Sequence, residues 1–90
     1  MPYIPEEDRP SFDECLEKLR LHIKDRGISS GEFNYVLTKI AQFYLDRHTT
    51  CYSTIADVVS TFECAKLEFY RRIAGPYENR KAALNGDVYD

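Results

Sequence analysis

The last 23 residues of the chain, EFYRRIAGPYENRKAALNGDVYD, hold most of the residue types that could bind a ligand. Arginine forks bind phosphate and carboxylate groups, and aromatic rings stack on flat bases, so this mixture suits an anionic group carried on a base. Lys66 stands just before this stretch and joins the set. The candidate ligand-binding residues are Lys66, Tyr70, Arg71, Arg72, Tyr77, Arg80 and Lys81.

How these side chains come together depends on the Gly75-Pro76 step. Proline disfavours a helical conformation in the preceding residue and cannot donate to the helical ladder, so we expect the helix to end and the chain to reverse there. A reversal would place the residues after Pro76 beside Arg71 and Arg72. The same pattern also fits a solvated helix end, in which Glu68 pairs with both arginines and the helix dipole favours the cations.

Lys66 lies near the centre of an apolar helix stripe, between Phe62 and Phe69. In one interpretation its methylene groups cover apolar surface while the ammonium group reaches solvent or pairs with Glu63. In the other, the cation points into a pocket or an interface. The sequence leaves both interpretations open.

Residues that could perform catalysis are sparse. Glu14 and Glu17 form an ExxE pair like those of metal-dependent helical nucleotide hydrolases, but no second carboxylate pair stands where a facing helix would supply it. The two histidines, His22 and His48, and the three cysteines show no spacing typical of a zinc site or a Cys-His nucleophile. We therefore predict no enzymatic activity, no metal site and no cofactor.

Length and composition set the wider limits. Ninety residues make one domain, and the net charge of -3 argues against general nucleic-acid binding, because phosphate contacts need an excess of lysine and arginine. No stretch approaches the roughly 18 apolar residues of a membrane-spanning helix, and the acidic opening MPYIPEEDRP is unlike a signal peptide. Three widely spaced cysteines fit a reducing compartment, so we expect a soluble, cytoplasmic protein.

Three helices follow from their start and stop signals. The first should end at Gly27, the second near Arg47 and the third at Ala74, before Gly75-Pro76. Serine or threonine followed three residues later by an acidic residue marks the start of each helix. The three candidate capping boxes are Ser11–Glu14, Ser29–Glu32 and Thr54–Asp57.

Apolar residues recur at helical spacing after each start, which predicts one covered face per helix. We therefore predict an all-α fold, a small bundle of three helices plus a short C-terminal helix and an extended tail. The single helical domain spans residues 1–90, with an N-terminal arm at 1–10 and the short helix and tail at 76–90. The predicted core stripes are Phe12, Cys15, Leu16, Leu19 and Ile23; Phe33, Val36, Leu37, Ile40 and Tyr44; and Ile55, Val58, Val59, Phe62, Phe69 and Ile73.

Three large side chains lie off these stripes: Leu21, Tyr35 and Leu67. Single exposed apolar residues are normal on protein surfaces. On a chain this short, however, three of them together with seven tyrosines and no tryptophan point to an interface. We predict a homo-oligomer with these three residues at the interface.

Four stretches resemble one family of small, uncharacterised proteins of bacteria and their phages. They are MPYIPEEDRP, GEFNYVLTKI, ECAKLEFYRRIAGPYENRK and NGDVY, against the family's PYI-x-x-EDR opening, GELNY helix, PYED-K ending and NGDVY tail. The chain departs from this pattern at Asn79, where aspartate is usual, and at Phe33, where leucine is usual. The resemblance implies a compact protein of the bacterial cell, phage-encoded in some members.

The first functional hypothesis is a non-enzymatic, oligomeric binding protein that sequesters an anionic, nucleotide-like ligand, as some small phage proteins do. The alternative is a protein-interaction adaptor that uses the same tyrosines and arginines to hold a host or viral protein. Thermal stabilisation by nucleotides would separate the two hypotheses, because a ligand that binds only the folded state raises its stability.

Overall fold

The chain is helical along nearly its whole length. A computed structural model describes all 90 residues and contains no strand. A short 3₁₀ turn, Glu6–Asp8, lies in the N-terminal arm, and a π-helical turn, Tyr70–Ala74, joins the third and fourth helices. The all-α class and the three helices with a shorter C-terminal helix are confirmed. The α-helices are α1 Pro10–Arg26, α2 Ser30–Arg47, α3 Tyr52–Phe69 and α4 Gly75–Asn85.

The chain divides into two compact units. Met1 aside, they are Pro2–Val58 and Val59–Asp90, so the boundary falls within α3. The first unit contains α1, α2 and the connection into α3, and the second contains the rest of α3, the π turn, α4 and the tail. The single domain expected for residues 1–90 stays a prediction.

The start of α1 differs from the expectation. The helix begins at Pro10, Arg9 is its N-cap residue, and no side chain caps it. Ser11 instead donates a hydrogen bond to the carbonyl of Asp8 at 3.3 Å, so the predicted Ser11–Glu14 capping box is wrong. Proline suits the first helical position because its missing N–H would have no partner there.

The start of α2 has the predicted capping box. The Ser29 hydroxyl accepts from the backbone N–H of Glu32 at 3.1 Å, and the Glu32 carboxylate accepts from the backbone N–H of Ser29 at 3.0 Å. A hydrogen bond from Arg26, followed by those from Ser29, lowers the pKa of Glu32 from 4.5 to about 2. The stabilisation from this carboxylate is therefore present above pH 4.5 and is lost as the pH falls towards 2.

We expect Ser29→Ala to lower the free energy of unfolding by about 1 kcal/mol, because it leaves the Glu32 N–H without its cap. Ser11→Ala is the matched control, since Ser11 is also a serine at a helix start but caps nothing. Urea unfolding followed by circular dichroism measures both. An equal loss of stability in the two variants would contradict the assignment of the caps.

The connection from α3 to α4 is the main departure from the predicted fold. The helix was expected to end at Gly75-Pro76, and that prediction is wrong: Ala74 and Gly75 keep right-handed helical angles, and Pro76 lies in the first turn of α4. In the π turn, the Gly75 N–H bonds to the carbonyl of Tyr70, five residues earlier. The wider π turn accommodates the proline ring, which would otherwise meet a carbonyl in an α-helical ladder.

Alanine at Gly75 tests this continuity. A Cβ there would meet the Tyr70 carbonyl at an ordinary 3.6 Å. Alanine gains roughly 0.5 to 1 kcal/mol over glycine through the unfolded state, and the contact of its Cβ with the Pro76 ring in the helical region offsets that gain, so Gly75→Ala should leave the free energy of unfolding nearly unchanged. Gly27→Ala is the matched control: Gly27 ends α1 with φ 83°, so alanine there should destabilise by about 1 kcal/mol. Thermal unfolding of both variants measures the difference. A broken helix with Gly75 in a left-handed turn would make the two substitutions equally destabilising.

The chain by itself forms no core. No residue is buried, and α1 and α2, which share the first unit, do not pack along each other. All five phenylalanines, four of them on predicted core stripes, are between 40% and 64% exposed. The expectation that the stripes face a core within one chain is not met, because a stripe is buried only where another element covers it. The half-buried apolar residues near the turn from α1 to α2 are Leu19, Ile23, Ile28 and Val36.

Candidate functional site

The seven predicted binding residues lie along one helical run, from the end of α3 through the π turn into α4. All of them belong to the Val59–Asp90 unit. From Lys66 to Lys81 the run extends about 20 Å along its axis, at about 1.5 Å per residue. The chain reversal that was expected to gather them is absent, since the helix continues through Gly75.

Two of the cations are paired with carboxylates one turn earlier. The Lys66 ammonium lies 3.1 Å from Glu63, with the lysine side chain 65% exposed. The Arg71 guanidinium binds both oxygens of Glu68, at 2.6 Å and 3.4 Å. Lys66 therefore pairs with Glu63, as one of its two interpretations has it. Arg71 pairs with Glu68 as expected, but Arg72 does not, and the helix does not end here. Charge in this part of the run is largely compensated.

Arg72 differs from the other cations of the run. It is exposed and has no hydrogen bond, ion pair or ring contact. Arg80 and Lys81 both lie over the ring of Tyr77, each 5.7 Å from its centroid, which is the distance of a cation-π contact. Arg72 is thus the cation whose donors are available to a partner without breaking an existing contact.

Tyr70 and Glu78 show what the π turn does to side-chain direction. The Tyr70 hydroxyl donates to Glu78 at 2.6 Å, although eight residues separate them. In an uninterrupted α-helix eight residues leave about 80° between side chains, and the extra residue of a π turn removes most of that angle. The hydrogen bond to Glu78 raises the pKa of Tyr70, and the nearby Tyr89 adds a smaller effect.

The C-terminal tail returns towards α4 and forms an open groove of about 410 Å³ with it. Gly86 ends α4 with φ 93°, and the Asp87 carboxylate accepts from the N–H of Tyr89 at 2.9 Å in a local turn. Apart from Lys81, sequence reasoning missed these groove residues, although the Asn85-Gly86 turn signal could have indicated a returning tail. The ionisable residues lining the groove are Glu78, Lys81, Asp87 and Tyr89.

The predicted interface residues are exposed. Leu21, Tyr35 and Leu67 are 50%, 62% and 57% exposed, but several predicted core residues, such as Phe12 and Phe69, are exposed to the same degree. Exposure therefore does not single these three out. Lys39 lies over the Tyr35 ring at 5.6 Å, much as Arg80 and Lys81 lie over Tyr77.

The ExxE pair has a structural use on α1. Arg20 forms two hydrogen bonds with Glu17, at 2.9 Å and 2.6 Å, and they lower the pKa of Glu17. No group of three or more histidine, cysteine or acidic side chains lies close enough to hold a metal ion. The His48 ring stacks on Tyr44 at 4.2 Å.

Cys51 is a chemically distinctive residue that the sequence did not indicate. It precedes α3, where its sulfur lies 3.2 Å from the Ser53 hydroxyl and 3.7 Å from that of Thr54. The hydrogen bond from Ser53, followed by those from Thr54, lowers the pKa of the thiol from 9.0 to about 7. The signal in the sequence is a cysteine followed by two hydroxyl residues at a helix start.

The pH dependence of alkylation measures the pKa of the Cys51 thiol directly. In a Cys15→Ser, Cys64→Ser background, the iodoacetamide rate at Cys51 should rise about tenfold from pH 6 to pH 8 and then level off, because the thiolate reacts. Ser53→Ala should move the midpoint of this rate profile to higher pH, because it removes the hydrogen bond from Ser53 to the sulfur. A parent rate that still climbs steeply above pH 9 would contradict the lowered pKa.

No helix of the chain combines the length and apolar character needed to cross a membrane. Among curated proteins and solved structures, none matches the chain significantly. A family model described as "Domain of unknown function (DUF6899)" matches residues 1–88. Since that match takes in the arm, all four helices and most of the tail, the chain belongs to the DUF6899 family.

Proposed function

We propose that this protein is a non-enzymatic, homo-oligomeric adaptor that holds a protein partner along the run from Lys66 to Lys81. The observation that carries the proposal is that these side chains are spread along one continuous helical run and are not gathered at one point. Tyrosine and arginine are enriched at protein interfaces, where a flat ring supplies apolar area and a guanidinium supplies directed hydrogen bonds. A spread of about 20 Å suits a surface better than it suits one small molecule.

The charge of this unit supports a protein partner over an anionic ligand. Residues 59–90 contain five basic and five acidic side chains, so the unit carries no excess positive charge. Lys66 and Arg71 already bind carboxylates, and the groove beside α4 is lined by Glu78 and Asp87 as well as Lys81. A partner with both apolar and acidic groups would use Tyr77 and Arg72 together.

Sequestration of an anionic, nucleotide-like ligand is the second candidate. Arg72 without a partner and the cations over Tyr77 are the features that favour it. The C-terminal unit of one chain offers an open groove beside α4, so this function requires cations from neighbouring copies to enclose the ligand. A phage-type sponge of this kind would work in the bacterial cytoplasm.

Site-specific photo-crosslinking in bacterial cells tests the adaptor. A benzophenone side chain at Tyr77 should capture one discrete protein, and Arg72→Ala should reduce the yield by about tenfold, because a charge-assisted bond is worth about 1.5 to 3 kcal/mol. The matched control is the same label at Tyr35, another exposed tyrosine beneath a cation. Equal capture from both positions would contradict the proposal.

Thermal shift separates the two candidates. The adaptor predicts no change in melting temperature with ATP, cyclic dinucleotides or NAD. A rise of several degrees that Arg72→Ala abolishes would favour sequestration instead, because ligand binding to the folded state raises stability by mass action.

A further inference from the structure

The helix α2 has an unusually broad apolar surface. At about 100° per residue, its apolar side chains cover an arc of about 200°, broken only by Asn34. The stripe of α1 covers about 100°, the width expected for a helix that packs on one neighbour. Between Phe33 and Leu45 the only charged residue is Lys39, which lies on the opposite side of α2. The arc of α2 consists of Phe33, Val36, Leu37, Ile40, Ala41, Phe43, Tyr44 and Leu45.

The chain leaves part of this arc uncovered, while Val36, Ala41 and Leu45 are half-buried. Phe33, Ile40 and Phe43 are 55%, 51% and 61% exposed, and α1 does not pack along α2. The three aromatic rings of the arc alone expose roughly 300 Å² per copy, at about 200 Å² for a whole ring. A standard interface buries about 800 Å² per partner, and the exposed aliphatic residues of the arc add further area towards it. A face this large in water is typical of an interface.

The sequence of α2 is self-complementary in antiparallel order. If two copies cross between Thr38 and Lys39, Phe33 faces Tyr44 of the other copy, Val36 faces Ala41, and Leu37 faces Ile40. Every one of these residues lies within the arc, and each pairing occurs twice, as a twofold axis requires. Antiparallel order also opposes the two helix dipoles and brings the Arg47 end of one helix beside the Glu32 end of the other.

We propose that α2 binds α2 of a second copy in antiparallel order about a twofold axis at Thr38–Lys39. This inference rests on the homo-oligomer of the proposed function and identifies its surface, which is the arc of α2 and differs from the Leu21, Tyr35 and Leu67 set. The second copy supplies the cover that one chain lacks. The pairing uses residues of the Pro2–Val58 unit alone, whereas the run proposed to hold the partner belongs to the Val59–Asp90 unit.

Distances between spin labels test the order of the pair. In a chain whose three cysteines are replaced by serine, single labels are placed at Ser30→Cys, Thr38→Cys and Asp46→Cys. Antiparallel pairing separates the two copies' labels along the axis by about 25 Å at position 30 and about 22 Å at position 46, with no axial offset near position 38. Parallel pairing gives the same separation at all three positions and would overturn the proposal.

Charge substitutions test the surface. Ile40→Asp should abolish the oligomer in light scattering at tens of micromolar, whereas Tyr35→Asp, on the opposite side of α2, should leave it intact. If Ile40→Asp prevents folding, the label distances in the parent background still decide the order. The melting temperature of the parent should also rise with protein concentration, since association stabilises the folded state.

The outcomes separate this inference from the proposed function. A parent chain that is monomeric overturns both the α2 pair and the homo-oligomer. An oligomer lost in Tyr35→Asp but kept in Ile40→Asp overturns the α2 pair alone. Neither result bears on the partner captured at Tyr77, which tests the adaptor separately.

Discussion

Apolar surface that the chain cannot cover by itself is the constraint on which the rest of this structure depends. The helices α1, α2 and α3 are amphipathic, yet none of their side chains is buried. Burying a single phenylalanine or leucine contributes about 1.5 to 3 kcal/mol, which is a large share of the stability of a small domain. The helices fix their local structure through caps and hydrogen bonds, while their apolar stripes contribute hydrophobic stabilisation only where another element or molecule covers them.

The two units of the chain have different chemistry as a result. The unit Pro2–Val58 carries the broad arc of α2, and apolar contact is what it offers a partner. The unit Val59–Asp90 carries balanced charge and tyrosines on a helical run, which is typical of a selective, partly polar surface. Under the proposed function, assembly and recognition use separate residues, so either can change without direct cost to the other.

Local features were predictable from the sequence because they depend on a few neighbouring residues. The Ser29–Glu32 capping box and the pairing of Lys66 with Glu63 each need only the right side chains three positions apart. Ser11 failed as a cap because Pro10 has its own preference for the first helical position, and the two signals conflicted. The lowered pKa of Cys51 depends on two hydroxyls aimed at one sulfur, a geometry that sequence spacing alone does not specify.

Structural features that depend on more distant parts of the chain were harder to predict from the sequence. Gly75-Pro76 breaks most helices, and only the π turn at Tyr70–Ala74 explains why this helix continues. The Tyr70–Glu78 hydrogen bond follows from the same extra residue, so its prediction required the π turn first. Whether an apolar stripe is buried within one chain depends on where other helices lie, and periodicity reports only which face is apolar.

The π turn gives the C-terminal run an angular offset that a regular helix of the same length lacks. It holds one residue more than an α-helical turn, so every side chain after it stands about 100° away from the place that an uninterrupted α-helix would give it. Tyr77, Arg80 and Lys81 all follow the π turn. One extra residue therefore decides which faces of α3 and α4 form a continuous surface.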